Sequence, residues 1–319
     1  MENGSRIQFF PISFFAVVMG LAGLTIAWEK AQQTLDLSFK LDGALVPMVS
    51  LAFVAILVTY LTKLVKFKDE VVKEFRHPIK LNFFAAISIS LILLSVVYLG
   101  ISHDLAHALW ILGAALQLVI TLYVMSSWIY HEHYQVQHSN PAWFIPVVGN
   151  VLVPIAGTGL GYFEISWFFF SIGIVFWLVL FIIIMNRVFF HNPLPEKLMP
   201  TFFILIAPPA VGFISYVKLT GDIDAFARLL YYSGLFLTLL LATQWKRFVK
   251  IAFFLSWWAY SFPLAAITVA TLVMYESNNV PGFAALSWTL LSLVTLVVVM
   301  LLYKTARAIS QKGICLPED

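Results

Sequence analysis

Five histidines in this sequence invite a metal reading. His103 and His107 stand four apart, which puts two imidazoles on one helical face, and His131, His133 and His138 share one connector. Zinc takes such pairs when further ligands converge on them. No HExxH pattern accompanies them, and Cys315 is the single cysteine, so no CxxC pair is possible. The expectation is solvated loop histidines and no metal site. Gly157-x-Gly159-x-Gly161 has the glycine density of a phosphate loop. It ends an apolar segment, however, and lacks the strand–turn–helix setting that such a loop requires. Haem would need histidines in the spans, and none lies in a span interior. With no clustered Asp, Glu, Ser and His either, the reading is no enzyme and no cofactor.

The remaining polar candidates are neutral. Asn82, Asn150 and Ser261 lie in apolar segments. They can donate hydrogen bonds to an anion, or they can bond neighbouring helices. Phe15, Phe84, Phe144 and Phe203 each stand near the start of such a segment. They can line a mouth, or anchor the chain at a membrane interface.

The elements that position these residues follow from composition. Of 319 residues 61% are hydrophobic, 16% aromatic and 11% charged. Soluble domains carry roughly 25% charge, so this chain cannot cover a water-facing surface. A bilayer core takes about 20 apolar residues per helix. Ten candidate spans result, near residues 9–28, 43–64, 81–100, 105–130, 143–161, 166–189, 200–219, 223–244, 249–274 and 281–303. The predicted fold is an all-α polytopic membrane protein with a single transmembrane domain over residues 1–319. If the N-terminus is inside, fifteen of the nineteen Lys and Arg fall on inner segments, and only Lys30, Lys40, Lys218 and Arg228 fall outside. That asymmetry predicts an even span number and two cytoplasmic termini. The basic residues among 66–80 fit the same bias, or could draw anions towards a mouth.

The odd spans differ from the even ones. Prolines open the first, third, fifth and seventh at Pro11, Pro78, Pro141 and Pro200, about sixty residues apart, one helical hairpin per unit. Pro146, Pro154, Pro208, Pro209 and Pro263 lie within odd spans, whereas the even spans have no interior proline. Proline removes a backbone hydrogen bond and kinks a helix. Freed carbonyls are tolerated in lipid only under protein or beside water. Five kinked inner helices inside five straighter outer ones are therefore expected, around a possible axial pore. Ala16/Gly20 and Gly157/Gly161 are small-xxx-small pairs suited to close helix approach. The odd-span interiors carry no Asp, Glu, Lys, Arg or His. That favours a neutral pore over a proton-coupled carrier, which needs a titratable relay.

Three runs carry a resemblance: His77-Pro78-Ile79-Lys80-Leu81-Asn82-Phe83-Phe84, Leu205-Ile206-Ala207-Pro208-Pro209-Ala210-Val211 and Trp258-Ala259-Tyr260-Ser261-Phe262-Pro263. In order, spacing and placement they resemble the tellurite-resistance/dicarboxylate transporter family, which includes bacterial TehA and the plant slow-type anion channels. The resemblance implies a homotrimer in a bacterial inner (plasma) membrane. It implies five hairpins with a pore in each protomer, and passive conduction of small inorganic or organic anions such as chloride or nitrate. It gives Phe262 as an aromatic plug and Ala16 as the small residue facing it. Phe15, Phe84, Phe144, Val147, Phe203, Val211 and Ser261 are the further pore-lining candidates, and Pro11, Pro146, Pro154, Pro208 and Pro263 the kinks. The competing expectation is a coupled transporter of C4-dicarboxylates, sulfite or other oxyanions, tellurite-related export included. Membrane lipid is the expected surroundings, and no nucleic-acid partner is expected.

Overall fold

The structure, a computed structural model, describes residues 6–130, 134–278 and 280–316. The described regular elements are all helical. Ten helices carry the architecture: α1 (Phe15–Thr34), α2 (Asp42–Lys66), α3 (Ala85–Tyr98), α4 (His103–Tyr130), α5 (Phe144–Gly157), α6 (Phe163–Phe190), α7 (Ala207–Thr220), α8 (Ala225–Ala242), α9 (Ser261–Asn278) and α10 (Pro281–Ser310). Among the described residues nine helical stretches are long and apolar enough to cross a membrane; the tenth, Pro141–Gly157, is shorter. The fifth span thus ends earlier than the 161 read from hydropathy, because the chain leaves the helix through the Thr158–Tyr162 glycine-rich turn. The ninth starts later, at Leu255 rather than 249.

Odd helices pair with the even helices that follow them, giving five hairpins, and the odd helices close a ring in the order α1, α3, α5, α7, α9 and back to α1. Burial separates the two classes. Between 67% and 89% of the residues are buried in the apolar windows of the odd spans other than the fifth, against 22–33% in the even ones. Every residue of α5 except Ile155 is buried. The even helices expose Leu, Val, Ile and Phe, such as Val54, Val119, Ile182, Phe236 and Leu296. Only lipid can cover such faces, so the chain is an integral membrane protein.

Each inner helix begins in a tighter coil. The 3₁₀ segments Ile12–Phe14, Lys80–Phe84, Pro141–Trp143, Glu196–Ile206 and Leu255–Tyr260 run directly into α1, α3, α5, α7 and α9. Proline chemistry accounts for three of these junctions. Pro146, Pro208 and Pro263 deny an α-type bond to the residue four earlier, namely Ala142, Ile204 and Ala259, all of which lie in the 3₁₀ segments. α1 and α3 have the same junction with no proline beyond it, only Pro11 and Pro78 ahead. Pro154 sits deep in α5, and Pro47 lies inside α2, an interior proline in an even helix where none was expected, because α2 begins before it at Asp42. Carbonyls beside Pro154 are taken up by other helices: the Val153 oxygen accepts from Trp110 Nε1 at 2.9 Å and the Val151 oxygen from Ser215 Oγ at 2.5 Å.

Candidate functional site: two cavities on the axis of the inner ring

The ring encloses two cavities, one towards each end. The first lies at the face where the inner helices begin. It has a volume of about 50 Å³ and is lined on successive inner helices by Ala16 and Met19, Ala86 and Ile89, Ile145 and Val148, Ile204 and Ala207, and Phe262 and Pro263. The second opens at the opposite face with a volume of about 640 Å³. Its walls continue the same helix faces through Gly23 and Ile26, Leu93 and Val96, Leu152 and Ile155, Val211 and Ile214, and Ala266 and Val269. On α1, α3 and α5 the lining residues recur at spacings of three, four and three, one stripe down each helix. Phe262 is the residue common to both linings.

The site is close to neutral. The smaller cavity has no charged residue in its wall; its polar members are Ser13, Thr201 and Ser256. Thr201 donates to the Leu198 carbonyl and Ser256 to that of Lys197. The larger cavity carries charge at its outer end, with Glu29, Lys30, Lys218 and Glu276. Lys30 and Glu276 pair at 2.5 Å.

The residues read from the sequence divide sharply. Ala16, Val211 and Phe262 line a cavity. Six others do not. Phe15 packs against Phe53 and Tyr60 of α2, and Phe84 against Tyr60 and Phe75. Phe203 meets Phe248 and Tyr260. Phe144 and Val147 are buried away from both cavities, and Ser261 donates to the Trp258 carbonyl at 2.7 Å. In each case the next or preceding residue does the lining: Ala16, Phe83, Ile145, Val148, Ile204 and Phe262. An α-helix turns about 100° per residue, so a phase error of one position moves a side chain from axis to wall. A stripe counted from Phe262 and Gly23 at helical spacing is the signal that finds the correct phase.

Of the neutral polar residues, Asn150 bonds helix to helix. Asn150 Nδ2 donates to the Pro146 carbonyl of its own helix at 2.8 Å and to Thr121 of α4 at 3.0 Å. Gln117 of α4 donates to the same carbonyl at 2.6 Å and accepts from Ser88 of α3 at 2.7 Å. Such bonds hold helices together where lipid offers none. Asn82 donates within its own segment, to the carbonyls of Pro78 and Ile79.

One buried ionic cluster, missed by the sequence reading, fixes the start of α1. Lys63 of α2 and Glu74, on the short helix Lys68–Arg76, pair at 2.7 Å with side chains 3% and 8% exposed. Glu74 Oε1 accepts from the Ile12 backbone N–H at 3.2 Å, and Oε2 accepts from the Tyr60 hydroxyl at 3.1 Å. Lys63 donates to the Phe10 carbonyl at 2.9 Å. Part of the 66–80 charge is therefore structural.

Two of the histidines can be placed by their contacts. His107 lies within α4, half-buried, 2.7 Å from the Tyr162 hydroxyl, so it is not a loop residue. His138 Nδ1 accepts from the Gln135 N–H. His131 and His133 lie outside the described residues. No group of three or more His, Cys, Asp or Glu able to hold a metal occurs among the described residues.

A family profile described as voltage-dependent anion channel (SLAC1) matches residues 9–306. The S-type anion channel SLAH2 of Arabidopsis thaliana is 33% identical over 86% of this chain and 54% of its own length. The guard cell S-type anion channel SLAC1 of the same plant is 26% identical over 93% of this chain and 55% of its own. The tellurite resistance protein TehA homolog of Haemophilus influenzae is 22% identical over 93% of this chain and 91% of its own. The chain thus spans about half the length of the plant relatives it matches. TehA-like and slow-type anion channel sequences are also those that the three motif runs resemble. A ring of five inner helices, free of charge around its smaller cavity, together with a match over nearly the whole chain, places this protein in the SLAC1 (tellurite-resistance/dicarboxylate transporter) family, a family of anion channels and transporters rather than enzymes.

Proposed function

We propose that this protein conducts small anions, chloride or nitrate among them, passively along the axis of its inner ring, with Phe262 as the plug. The observation that carries this reading is the position of Phe262 as the side chain shared by the two cavities. An ion passing from one cavity to the other must pass that ring. The lining supports a passive path, because it offers no titratable relay between the two cavities. It also supports anions. All five inner helices begin at the same face, so the positive ends of five helix dipoles gather there, beside a cavity with no acidic residue in its wall. The distribution of Lys and Arg supports placing that face, and both termini, in the cytoplasm of a bacterial cell. A homotrimer with one pore per protomer is the proposed assembly.

The test is current recording in a bilayer or oocyte under anion gradients. Reversal potentials are expected to follow chloride or nitrate. Phe262→Ala is expected to raise conductance several-fold. Unchanged current with normal surface expression would remove the plug, and flux strictly dependent on a proton gradient would replace the channel by a coupled oxyanion or dicarboxylate carrier.

A further inference from the structure

A plug needs a seat, and the residue that provides it is on α1. A Cβ built on Gly23 would lie 3.3 Å from Phe262 Cδ2, 3.7 Å from its Cα and 2.9 Å from the Ala265 Cβ. Carbon atoms make their best contact at about 3.5–4.0 Å. The Phe262 ring therefore occupies space that any side chain at position 23 would contest. Ala16, the small residue that the family resemblance sets opposite the plug, lies two helical turns away and lines the smaller cavity. Gly23 lines the larger one, which Phe262 also borders. Gly20, the other close glycine of α1, faces Ser261 and Trp258 and not the plug.

The geometry points to Gly23 as the seat of the Phe262 ring, a positioning residue that sets how stably the ring blocks the axis. This rests on the reading of Phe262 as the plug. A methyl group at position 23 forces the ring to give by about a few tenths of an ångström and weakens the blocked state relative to any state with the ring displaced. The close approach to Ala265 is a separate clash between α1 and α9, and Ala265→Gly removes it while leaving the ring contact in place.

The experiment is anion current from the 319-residue chain, normalised to surface expression, for Ala265→Gly, Gly23→Ala/Ala265→Gly, Phe262→Ala, Phe262→Ala/Ala265→Gly and the triple variant. Expected is a several-fold higher basal conductance for Gly23→Ala/Ala265→Gly than for Ala265→Gly. The triple variant is expected to match Phe262→Ala/Ala265→Gly, because the ring through which Gly23 acts is gone. A raised Phe262→Ala current beside equal currents for Ala265→Gly and Gly23→Ala/Ala265→Gly overturns the seat alone. An increase that persists in the triple variant relative to Phe262→Ala/Ala265→Gly assigns the effect to helix packing and also overturns it. A wild-type current from Phe262→Ala takes down the plug and the seat together.

Discussion

Val147 and Val148 are adjacent on α5, yet only Val148 reaches the smaller cavity. The two make a direct test of the lining at the scale of single residues. In a Cys315→Ser background, Val148→Cys is expected to react with a small membrane-impermeant thiosulfonate and lose current. Val147→Cys is expected to remain protected. Equal reactivity would mean that α5 is rotated about its axis. The same one-position offset explains what the sequence did and did not reveal here. Phe15, Phe84, Phe144 and Phe203 were conspicuous because each is aromatic at a helix start. Aromatic rings fill the spaces between inner and outer helices best, as Phe15 does against Phe53 and Tyr60. The axis is lined instead by inconspicuous residues such as Ala16, Ala86 and Ile204. Only their helical spacing distinguishes them. Phe262 was identifiable because a family resemblance pointed to it, not because one phenylalanine among 29 stands out.

At the scale of the element, the start of α1 depends on the Lys63–Glu74 cluster. Removing one partner of a buried pair leaves a charge without compensation, at a cost of about 3–5 kcal/mol. Glu74→Gln is therefore expected to lower thermal stability in detergent markedly. Lys63→Met/Glu74→Leu is expected to recover most of the loss, since replacing both charges removes the unpaired one. A melting temperature for Glu74→Gln equal to wild type would mean that the cluster does not fix α1. At the other face Asp224 caps α8, its carboxylate accepting from the Ala227 N–H at 2.9 Å. That bond, and a second from the Tyr216 hydroxyl, hold its pKa below the ordinary value of 3.8. A lowered folded-state pKa gives stability that is present above the ordinary value and lost as pH falls through the lowered one. The melting temperature of Asp224→Asn is accordingly expected to depend less on pH than wild type below that value. Hydropathy was enough to find the ten helices to within a few residues at most ends. It could not foresee the 3₁₀ segments, since α1 and α3 have them without a proline beyond the junction. Nor could it foresee Glu74, whose charge reads as a solvated loop until Lys63 and the Ile12 amide are brought to it.

For the whole molecule, alternation of inner and outer helices does most of the organising. It was legible because lipid-facing and buried spans obey different rules for proline and charge, and the burial contrast follows the same division. Closure of the ring was legible only through the family resemblance, since it depends on contacts between helices far apart in sequence, such as α1 with α9. The unequal cavities have a consequence for how an ion sheds its water. About 640 Å³ on one side leaves a small anion its hydration shell up to the plug, whereas about 50 Å³ on the other holds only a handful of waters. On the proposed route, stripping water falls mainly on the narrow half of the path. Weakly hydrated anions such as thiocyanate are expected to permeate ahead of strongly hydrated fluoride, which bi-ionic reversal potentials measure. Such a route would also be sided: the two directions of current meet the dehydration step first or last, and the current–voltage curve is expected to bend accordingly.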